Sequence, residues 1–342
     1  MDLRQMQYFL CLAETRHMTR AARQLNIVQP ALSMQIARLE TEFGQKLFDR
    51  GAHGVTPTMA GETLARLVSP ILRDLEHAVQ EMARLNGRIS GRVVVGLLTS
   101  VAQSTLASST AKVAARFPDV QLSACEAYTD TLLEWVASGQ LDLAFINVPR
   151  KKPSLNASHV LDEDMVFACR RGATLSVPRD LMIEHLTRYD LVLPSRRHGL
   201  RNVLEEHAAE AGITLNPRLE IDTLPAICDV IATTELVTVL PTIALQQALA
   251  AEKVQAHRFR DRPMTRSIAV VHHPRRAMSA AAMAIVEIIR QDVIAAASSA
   301  SQYVNTPEDV PDAPRSRSMQ SDITAVDVGE ARRSRKRAKP TP

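Results

Sequence analysis

Side chains able to make directional hydrogen bonds to a base edge recur in the stretch NIVQPALSMQIARLE, residues 26–40. The amides of Gln29 and Gln35 can donate and accept at adenine, and Ser33 is short enough to let the backbone approach a base. Arg38 carries a charge that can contact a phosphate. The stretch therefore either reads DNA bases or presents a solvated polar face on a helix that packs in a core.

The remaining polar residues show no arrangement typical of catalysis. We find no glycine-rich phosphate loop, nucleophile elbow, paired carboxylates or metal-ligand spacing. The cysteines are far apart, lie in apolar surroundings and lack the spacing of a zinc site, which predicts buried free thiols: Cys11, Cys125, Cys169 and Cys228. An enzyme is therefore the less favoured hypothesis, and we expect no catalytic residue, no metal and no cofactor.

Composition sets the size and class of the protein. A chain of 342 residues with 46% hydrophobic content can form two or three domains, each with its own core. No segment approaches the roughly 18 to 20 uninterrupted apolar residues of a membrane span, and the N-terminal MDLRQMQYFL has no signal-peptide pattern. We expect a cytoplasmic protein with no membrane partner. The net charge of +4 indicates only a mild preference for polyanions.

Helices and a tight turn must position residues 26–40. Helical spacing of apolar residues predicts a first helix over residues 3–13 and a short second one over residues 19–25, where two small alanines allow another helix to come close. Asn26 tolerates the left-handed backbone of a tight turn, and Pro30 fits the first turn of the next helix. That helix is predicted to bury Leu32, Ile36 and Leu39. This is a helix-turn-helix pattern, whose second helix has its N-terminal residues nearest the bases.

The segment after this motif favours DNA binding over a plain helical hairpin. LFDRGAHGVTPTMAG, residues 47–61, breaks the helical period and has the composition of a β-hairpin, which predicts a wing. Residues 59–86 then form one long helix with a single apolar stripe, for which so small a domain offers no partner. We expect this helix to pair with its copy in a dimer, which would present two reading heads to a two-fold related DNA site.

Beyond a glycine-containing hinge at residues 87–91, the pattern changes to that of an α/β domain. Three short strands alternate with two helices, which is the signature of a doubly wound parallel sheet: strands at residues 92–98, 120–127 and 141–148, helices at 101–116 and 129–138. A second lobe follows, with strands predicted in MVFACRR, DLVLPS and LVTVLP. SIAVVHH then returns to the first lobe, and a last helix is predicted over residues 280–293. Two lobes joined by two crossovers enclose a cleft, which is the default ligand site.

The combination of motifs resembles the LysR-type transcriptional regulators. The residues that carry the resemblance are Gln5-x-x-Tyr8-Phe9, Ala21-Ala22-x-x-Leu25, Gln29-Pro30-Ala31-Leu32-Ser33, Ile36-x-x-Leu39-Glu40, Leu47-Phe48-x-Arg50 and Thr56-x-x-x-x-Gly61. The resemblance covers residues 1–298. It implies an α/β protein with a largely α-helical N-terminal winged helix-turn-helix and a two-lobed, periplasmic-binding-protein-like effector domain of doubly wound lobes.

The resemblance also implies domain boundaries. The winged helix-turn-helix would span residues 1–58, the linker and dimerisation helix 59–86, the hinge 87–91 and the effector domain 92–298. Within the effector domain, lobe I would comprise residues 92–161 and 267–298, and lobe II residues 162–266.

The function implied is that of a sequence-specific transcriptional regulator. It would bind double-stranded promoter DNA as a homodimer or homotetramer, and a small-molecule effector in the cleft would change its DNA binding or bending. RNA polymerase is a further candidate partner. The positive edge formed by Arg196, Arg197 and His198 favours an anionic effector, although a solvated basic turn would have the same sequence.

Candidate contact residues follow from the same pattern. Those expected to contact DNA are Thr19, Arg20, Gln29, Pro30, Ala31, Ser33, Met34, Gln35, Arg38, Arg50, His53, Thr56 and Thr58. Those expected to contact the effector are Thr99, Ser100, Gln103, Thr129, Asn147, His198, Asn202 and Thr223. For each effector residue, a helix cap or a solvated loop position is the alternative interpretation.

Several positions depart from the family pattern. Val28 stands where a helix-capping Ser is usual, Met34 where an Arg often reads guanine or phosphate, and His17 where Ser is common. Residues 52–53 make the wing less basic than usual. The stretch ATTELVTVLP, which contains Glu235, replaces a region that is often glycine-rich. These changes bear on base preference and affinity, while the buried residues of the helix-turn-helix are present.

The C-terminal residues 299–342 are rich in Ser, Asp, Pro and Arg and end in RRSRKRAKPTP. This composition predicts disorder. The basic run either adds salt-sensitive attraction to DNA or is a solvated tail with no role. A solute-binding protein without DNA function is the competing hypothesis from another class. The first ninety residues and the missing signal peptide argue against it.

Overall fold

The N-terminal unit of the computed structural model is a helix-turn-helix followed by a two-stranded hairpin. The structure describes residues 1–51, 54–84, 88–149, 154–260 and 264–305. The helices are α1 (Leu3–Thr15), α2 (Met18–Gln24) and α3 (Gln29–Phe43). The hairpin consists of β1 (Phe48–Gly51) and β2 (Gly54–Pro57), which pair antiparallel.

Local sequence determines where these helices begin and turn. A capping box starts α1, because Gln5 N donates to Asp2 Oδ1 at 2.8 Å and Asp2 N donates to Gln5 Oε1 at 2.9 Å. Asn26 has a φ of 53° in the turn between α2 and α3, which confirms the left-handed conformation predicted for it. Ala21 and Ala22 are buried, so the close approach of helices predicted from their small side chains is also confirmed.

The hairpin packs between α1 and the long helix α4 (Met59–Arg84). The rings of Phe9 and Phe48 lie with their centroids 5.3 Å apart. A Cβ atom at Gly61 would overlap the carbonyl oxygen of Leu47, so any larger residue would push α4 away from the hairpin. The remaining apolar stripe of α4 is exposed in this single chain: Leu67, Ile71, Leu75, Val79 and Met82.

Lobe I is built on a sheet whose strand order is β4-β3-β5-β11-β6. Its elements are β3 (Gly91–Leu97), α5 (Thr99–Arg116), β4 (Val120–Glu126), α6 (Thr129–Ala137), β5 (Leu143–Asn147), the first part of β6 (Asn156–Arg170) and β11 (Thr265–His272). Strands β4, β3 and β5 are parallel, as the alternation of strands and helices predicted. Strand β11 is antiparallel to both β5 and β6.

Lobe II is assembled around the second part of β6. Its elements are a 3-10 helix (Ile183–Arg188), β7 (Val192–Leu193), α7 (Gly199–Glu210), β8 (Leu219–Glu220), α8 (Leu224–Thr233), β9 (Thr238–Pro241), α9 (Thr242–Ala250) and β10 (Val254–His257). Both β9 and β10 pair antiparallel with β6. The strand predicted from DLVLPS is only two residues long and pairs in parallel with β8.

The chain crosses between the lobes at positions that differ from the two predicted boundaries of lobe II. Strand β6 pairs with β11 of lobe I up to Asp164 and with β9 of lobe II from Met165 onward, without a break. The chain returns to lobe I at Thr265, the first residue of β11. The predicted boundaries at residues 162 and 267 therefore lie inside continuous strands, because a strand that serves two sheets shows no loop in its sequence.

The C-terminal helix is longer than predicted. Helix α10 spans Ala280–Ser301, and it is followed by β12 (Val304–Asn305), which pairs in parallel with β10 of lobe II. The prediction of a disordered tail from residue 299 was therefore wrong for residues 299–305, and residues 306–342 lie outside the described residues. Helices within the described ranges are all too short or too polar to cross a membrane.

Candidate DNA interface and effector cleft

The N-terminal turns of α3 face solvent. Gln29 and Pro30 are exposed, Ser33 and Gln35 are half-buried, and the buried side consists of the three residues that the sequence predicted: Leu32, Ile36 and Leu39. Val28 occupies the N-cap position and its side chain makes no capping hydrogen bond. Pro30 has no N–H, and Ala31 N already donates to the carbonyl oxygen of Val28 at 3.0 Å. The N–H of Gln29 therefore remains in the first turn for a DNA phosphate.

Two side-chain hydrogen bonds hold the polar residues of α3. Arg50, on the wing strand β1, donates from Nη2 to Ser33 Oγ at 3.2 Å. Gln5, on α1, donates from Nε2 to Gln35 Oε1 at 3.3 Å. The bond from Gln5 orients the amide of Gln35 and uses one of the two lone pairs of its oxygen, so its N–H groups and the second lone pair remain for groups on DNA.

Most of the remaining DNA candidates lie at the surface near α3. The exposed ones are Thr19, Arg20, Met34, Arg38, Arg50 and Thr56, and Ala31 is half-buried. Thr58 is a correction, since its hydroxyl donates to Lys46 O at 2.6 Å and accepts from Gly61 N at 3.1 Å, which makes it the cap of α4 rather than a free phosphate contact. His53 lies outside the described residues.

Three helices begin at the cleft between the lobes. Helices α5 and α6 of lobe I start after Leu98 and Tyr128, and neither of these side chains caps its helix. Helix α7 of lobe II starts at Gly199, where a Cβ atom would lie 3.1 Å from Asn147 Nδ2, so the absent side chain lets lobe II approach lobe I closely. Three helix N-termini directed at one point create a positive potential without requiring a charged side chain.

Two buried polar groups in the cleft have no hydrogen-bond partner among the described atoms: Thr129 Oγ1 and His198 Nε2. Their residues are only 9% and 6% exposed. His198 Nδ1 accepts from Leu200 N at 3.2 Å, which caps α7. Burial lowers the pKa of His198 to about 4. The charge of Arg266 also lowers this pKa, and the charge of Asp222 raises it. The neutral ring therefore carries its proton on Nε2, as a donor pointing at no acceptor.

Arg266 is the cationic side chain of the cleft. It donates from Nη2 to Ser100 Oγ at 2.9 Å and from Nη1 to Asn147 Oδ1 at 3.3 Å. It also pairs with Glu163, whose other oxygen accepts from Thr242 Oγ1 at 2.9 Å at the start of α9. The buried charges are thus compensated inside the protein while the lobes are together.

The enclosed cavity has a volume of about 10 Å³, which is about the space of one water molecule. It is lined by residues of both lobes: Leu98, Thr99, Ser100, Ala127, Tyr128, Thr129, Asn147, His198, Gly199 and Arg266. The lobes are therefore closed on each other, and a metabolite-sized ligand can enter only if they separate.

The structure brings together five of the eight predicted effector residues: Thr99, Ser100, Thr129, Asn147 and His198. The other three do not line the cavity. Asn202 and Thr223 are exposed, and Gln103 is half-buried one turn further along α5. Arg196 and Arg197 are also exposed and do not line the cavity. The cationic side chain that does line it is Arg266, which is paired with Glu163. Arg266 was missed because its position at a lobe crossing is visible only in the strand register.

Comparison with known protein families gives two matches. Residues 3–62 match the model of bacterial regulatory helix-turn-helix proteins of the lysR family. Residues 86–293 match the LysR substrate binding domain. Together the two matches cover the helix-turn-helix with its hairpin and most of both lobes, and residues 63–85, which include most of the linker helix, lie between them.

Curated relatives align over most of their length. The chain is 27% identical over 275 residues to a hydrogen peroxide-inducible genes activator of Haemophilus influenzae, covering 80% of this chain and 91% of the relative. It is 28% identical over 290 residues to a nitrogen assimilation regulatory protein of Escherichia coli, covering 84% and 94%.

Solved structures share the fold. A full-length OxyR variant from Pseudomonas aeruginosa aligns with a TM-score of 0.68 at 20% identity, covering 86% of this chain and 94% of that one. CbnR in complex with its target DNA aligns with a TM-score of 0.61 at 18% identity, covering 87% and 100%.

Proposed function

Because the chain belongs to the LysR family of DNA-binding transcriptional regulators with an effector-binding domain, we propose that its effector is a small anion, such as a carboxylate, bound between the lobes. The effector would change the occupancy or bending of promoter DNA. The observation that carries this proposal is the convergence of three helix N-termini on one cavity. Thr129 and His198 add polar groups that are buried there without partners.

Each of these groups suits an anion. Backbone N–H groups at helix N-termini and the Nε2–H of neutral His198 donate hydrogen bonds, and Arg266 can exchange part of its contact with Glu163 for a ligand oxygen. Glu163 would not be left alone by this exchange, since Ile243 N and Thr242 Oγ1 also donate to it. A neutral ligand would leave the potential of the helices uncompensated.

Ligand binding must be coupled to lobe movement, because the closed cavity has room only for about one water molecule. An anion that fits between separated lobes and bridges them would favour a more open arrangement than the one described. A ligand shifts such an equilibrium only by its difference in affinity between the two arrangements. The change in lobe angle is the signal that would reach the DNA-binding domain.

Peroxide sensing by a thiol is not favoured for this chain, although some of its relatives are named as peroxide-inducible gene activators. Burial raises the pKa of all four thiols, and that of Cys228 reaches about 11. The thiolate is the form that reacts with peroxide, so each cysteine is held in its unreactive form. A reversible, non-covalent ligand is therefore the better candidate for the signal.

Further aspects of the function are proposals of the same kind. The exposed apolar stripe of α4 suits pairing with a second copy of the chain, and a dimer of dimers would extend the DNA contact to two sites. Contact with RNA polymerase, a cytoplasmic location, and the lack of catalysis or of any cofactor besides the effector are expected of a regulator of this type.

The test compares carboxylates with their amides, which have similar shape but no charge. Thermal unfolding of the full chain is followed with acetate against acetamide and benzoate against benzamide, at equal ionic strength. We expect at least one carboxylate to raise the melting temperature and its amide to leave it unchanged. Thr129→Val should abolish that response without destabilising the fold, because the hydroxyl it removes has no partner.

Thr223→Val is the matched control, since Thr223 is exposed and does not line the cavity. It should respond as the wild type does. Equal responses to carboxylate and amide, or a full response in Thr129→Val, would reject the anion site.

A further inference from the structure

The outward face of α3 is apolar at its centre. Leu32, Ile36 and Leu39 are buried and mark the inner face. At 3.6 residues per turn, the residues opposite them are Pro30, Met34 and Ala37, all of which are exposed. Met34 is 49% exposed, and Val28, at the end of the same helix, is 69% exposed. Met34 thus displays a large apolar side chain on the outward face, and Val28 displays another at the N-terminal end of the helix, which lies nearest the bases in this motif.

This face also lacks charge. From Ile27 to Ala37 the chain contains no acidic or basic residue. The neighbouring cations lie to the side: Arg38 follows the stretch, and Arg50 reaches α3 from the wing, where it donates to Ser33. Guanine is read in the major groove chiefly by Arg or Lys, so the centre of this helix has no group suited to it. The remaining base feature that an apolar side chain recognises there is the 5-methyl group of thymine.

We propose that Met34 and Val28 read thymine 5-methyl groups. The preferred half-site then carries thymines beneath the first two turns of α3, and the amide of Gln29 selects an adenine beside them. Arg38 and Arg50 contact phosphates on either side and fix the orientation of the helix. The inference concerns DNA recognition alone and does not depend on the identity of the effector.

The position of Met34 supports a role in reading bases rather than in folding. Its side chain is not part of the hydrophobic core of the N-terminal domain, which is formed by other residues of α1 to α4. Methionine is long, unbranched and flexible, so its side chain can adjust to contact a methyl group in the groove. The side chain of Val28 makes no capping hydrogen bond to α3, which leaves its apolar surface as the evident contribution of that side chain.

The experiment removes single methyl groups from DNA. A duplex that the full-length protein prefers is first selected from a random pool, and each thymine of one half-site is then replaced by deoxyuridine in turn. Affinity is measured by fluorescence anisotropy at fixed salt. Because a buried methyl group contributes about three- to fivefold in affinity, we expect that loss for the wild type at one or two positions.

Met34→Ala identifies the protein partner of the methyl group. It should bind the thymine duplex about three- to fivefold more weakly and should show no further loss with deoxyuridine at the Met34 position. Val28→Ala should do the same at a neighbouring position. Met283→Ala is the matched control, because Met283 is also 49% exposed but lies on α10, away from the reading head.

The outcomes are distinct. Loss of deoxyuridine sensitivity at one position in Met34→Ala and at a neighbouring position in Val28→Ala, with Met283→Ala unchanged, supports the proposal. A wild type that is indifferent to deoxyuridine at every position, a Met34→Ala protein as sensitive as the wild type, or a selected half-site with guanines beneath α3 would overturn it. Exposure of both residues makes a folding failure of either variant unexpected, and circular dichroism checks this directly.

Discussion

Arg266 and Glu163 lie opposite each other on the two strands that join the lobes, and Arg266 Nη2 is 2.7 Å from Glu163 Oε2. Both side chains are 1% exposed. Arg266 extends to Ser100 and Asn147 in lobe I. Glu163 accepts from Ile243 N, at the start of α9 in lobe II, at 2.6 Å. The ion pair is therefore the point at which one polar network connects the two lobes.

Removal of one partner of this pair should destabilise the protein strongly. Arg266→Gln leaves Glu163 as a buried charge without its cation, for which we expect a loss of about 3–5 kcal/mol in the free energy of unfolding. Replacing both residues by leucine should cost less than Arg266→Gln alone, because no buried charge remains. Urea unfolding of the three proteins measures this, and a double variant less stable than Arg266→Gln would contradict the account.

Two buried histidines should make stability fall in mild acid. Burial lowers the pKa of both His198 and His257 from 6.5 to about 4. Between these values the unfolded chain binds protons that the folded protein does not, so stability decreases as the pH falls from about 6.5 toward 4. At pH 5 each histidine should contribute a loss of about 2 kcal/mol relative to neutral pH.

His257→Leu tests the share of one histidine, since neither ring nitrogen of His257 has a hydrogen-bond partner among the described atoms. Urea unfolding between pH 5 and pH 7.5 should show a shallower pH dependence in this variant. His17→Leu, which changes an exposed histidine, should follow the wild type. An unchanged slope in His257→Leu would show that His257 is charged in the folded protein or already hydrogen-bonded.

Hydrogen peroxide should not alter the protein or its DNA binding. Burial raises the pKa of the thiols of Cys11, Cys125, Cys169 and Cys228, which keeps them protonated and slow to oxidise. Intact mass and DNA affinity are measured before and after submillimolar peroxide. A cysteine oxidation product formed together with a change in affinity would contradict this prediction and return a thiol to the signalling mechanism.

The linker helix is tied to lobe I of its own chain across a groove of about 1080 Å³. Arg73 Nη1 lies 3.3 Å from Asp142 Oδ1, and Arg73 also donates to Gln140 O. Asp142 Oδ2 accepts from Val94 N at 2.7 Å, just before β5, and the far end of β5 carries Asn147 of the cleft. This strand therefore connects the cleft to the helix that carries the DNA-binding domain.

Arg73→Ala should weaken the coupling between effector and DNA rather than either binding step. We expect unliganded DNA affinity and carboxylate affinity to stay within about twofold of wild type, because Arg73 lies on the linker helix and belongs neither to the reading helix nor to the cleft. The change in DNA affinity on adding carboxylate should shrink. Arg88→Ala is the control, since Arg88 pairs with Asp119 at a more exposed site. Full coupling in Arg73→Ala would exclude this path.

The sequence predicted the parts of the fold that depend on local pattern. The spacing of Leu32, Ile36 and Leu39 identified the buried side of α3, and the ends of strands β3 and β5 located Ser100 and Asn147. These signals are short-range, since they follow from helix periodicity and from the rule that ligands bind at the carboxyl ends of parallel strands.

The features that the sequence did not reveal depend on contacts between residues far apart in the chain. Arg266 belongs to the cleft only because β11 places it opposite Glu163, which is 103 residues away in the chain. The pairing of Val304 with Ala256 of lobe II, which orders the end of α10, likewise depends on a distant strand. Thr58 has the residue type of a phosphate contact, and only its bonds to Lys46 and Gly61 identify it as a cap.

The most direct test of the central claim measures DNA affinity as a function of the anion in the cleft. Fluorescence anisotropy of the selected duplex is titrated with wild type and Thr129→Val, with and without the carboxylate that most raises the melting temperature, and with its amide. We predict that the carboxylate alone changes the wild-type Kd and that Thr129→Val has the unliganded wild-type Kd under all conditions. An equal change with the amide, or an undiminished change in Thr129→Val, would contradict regulation by an anion at this site.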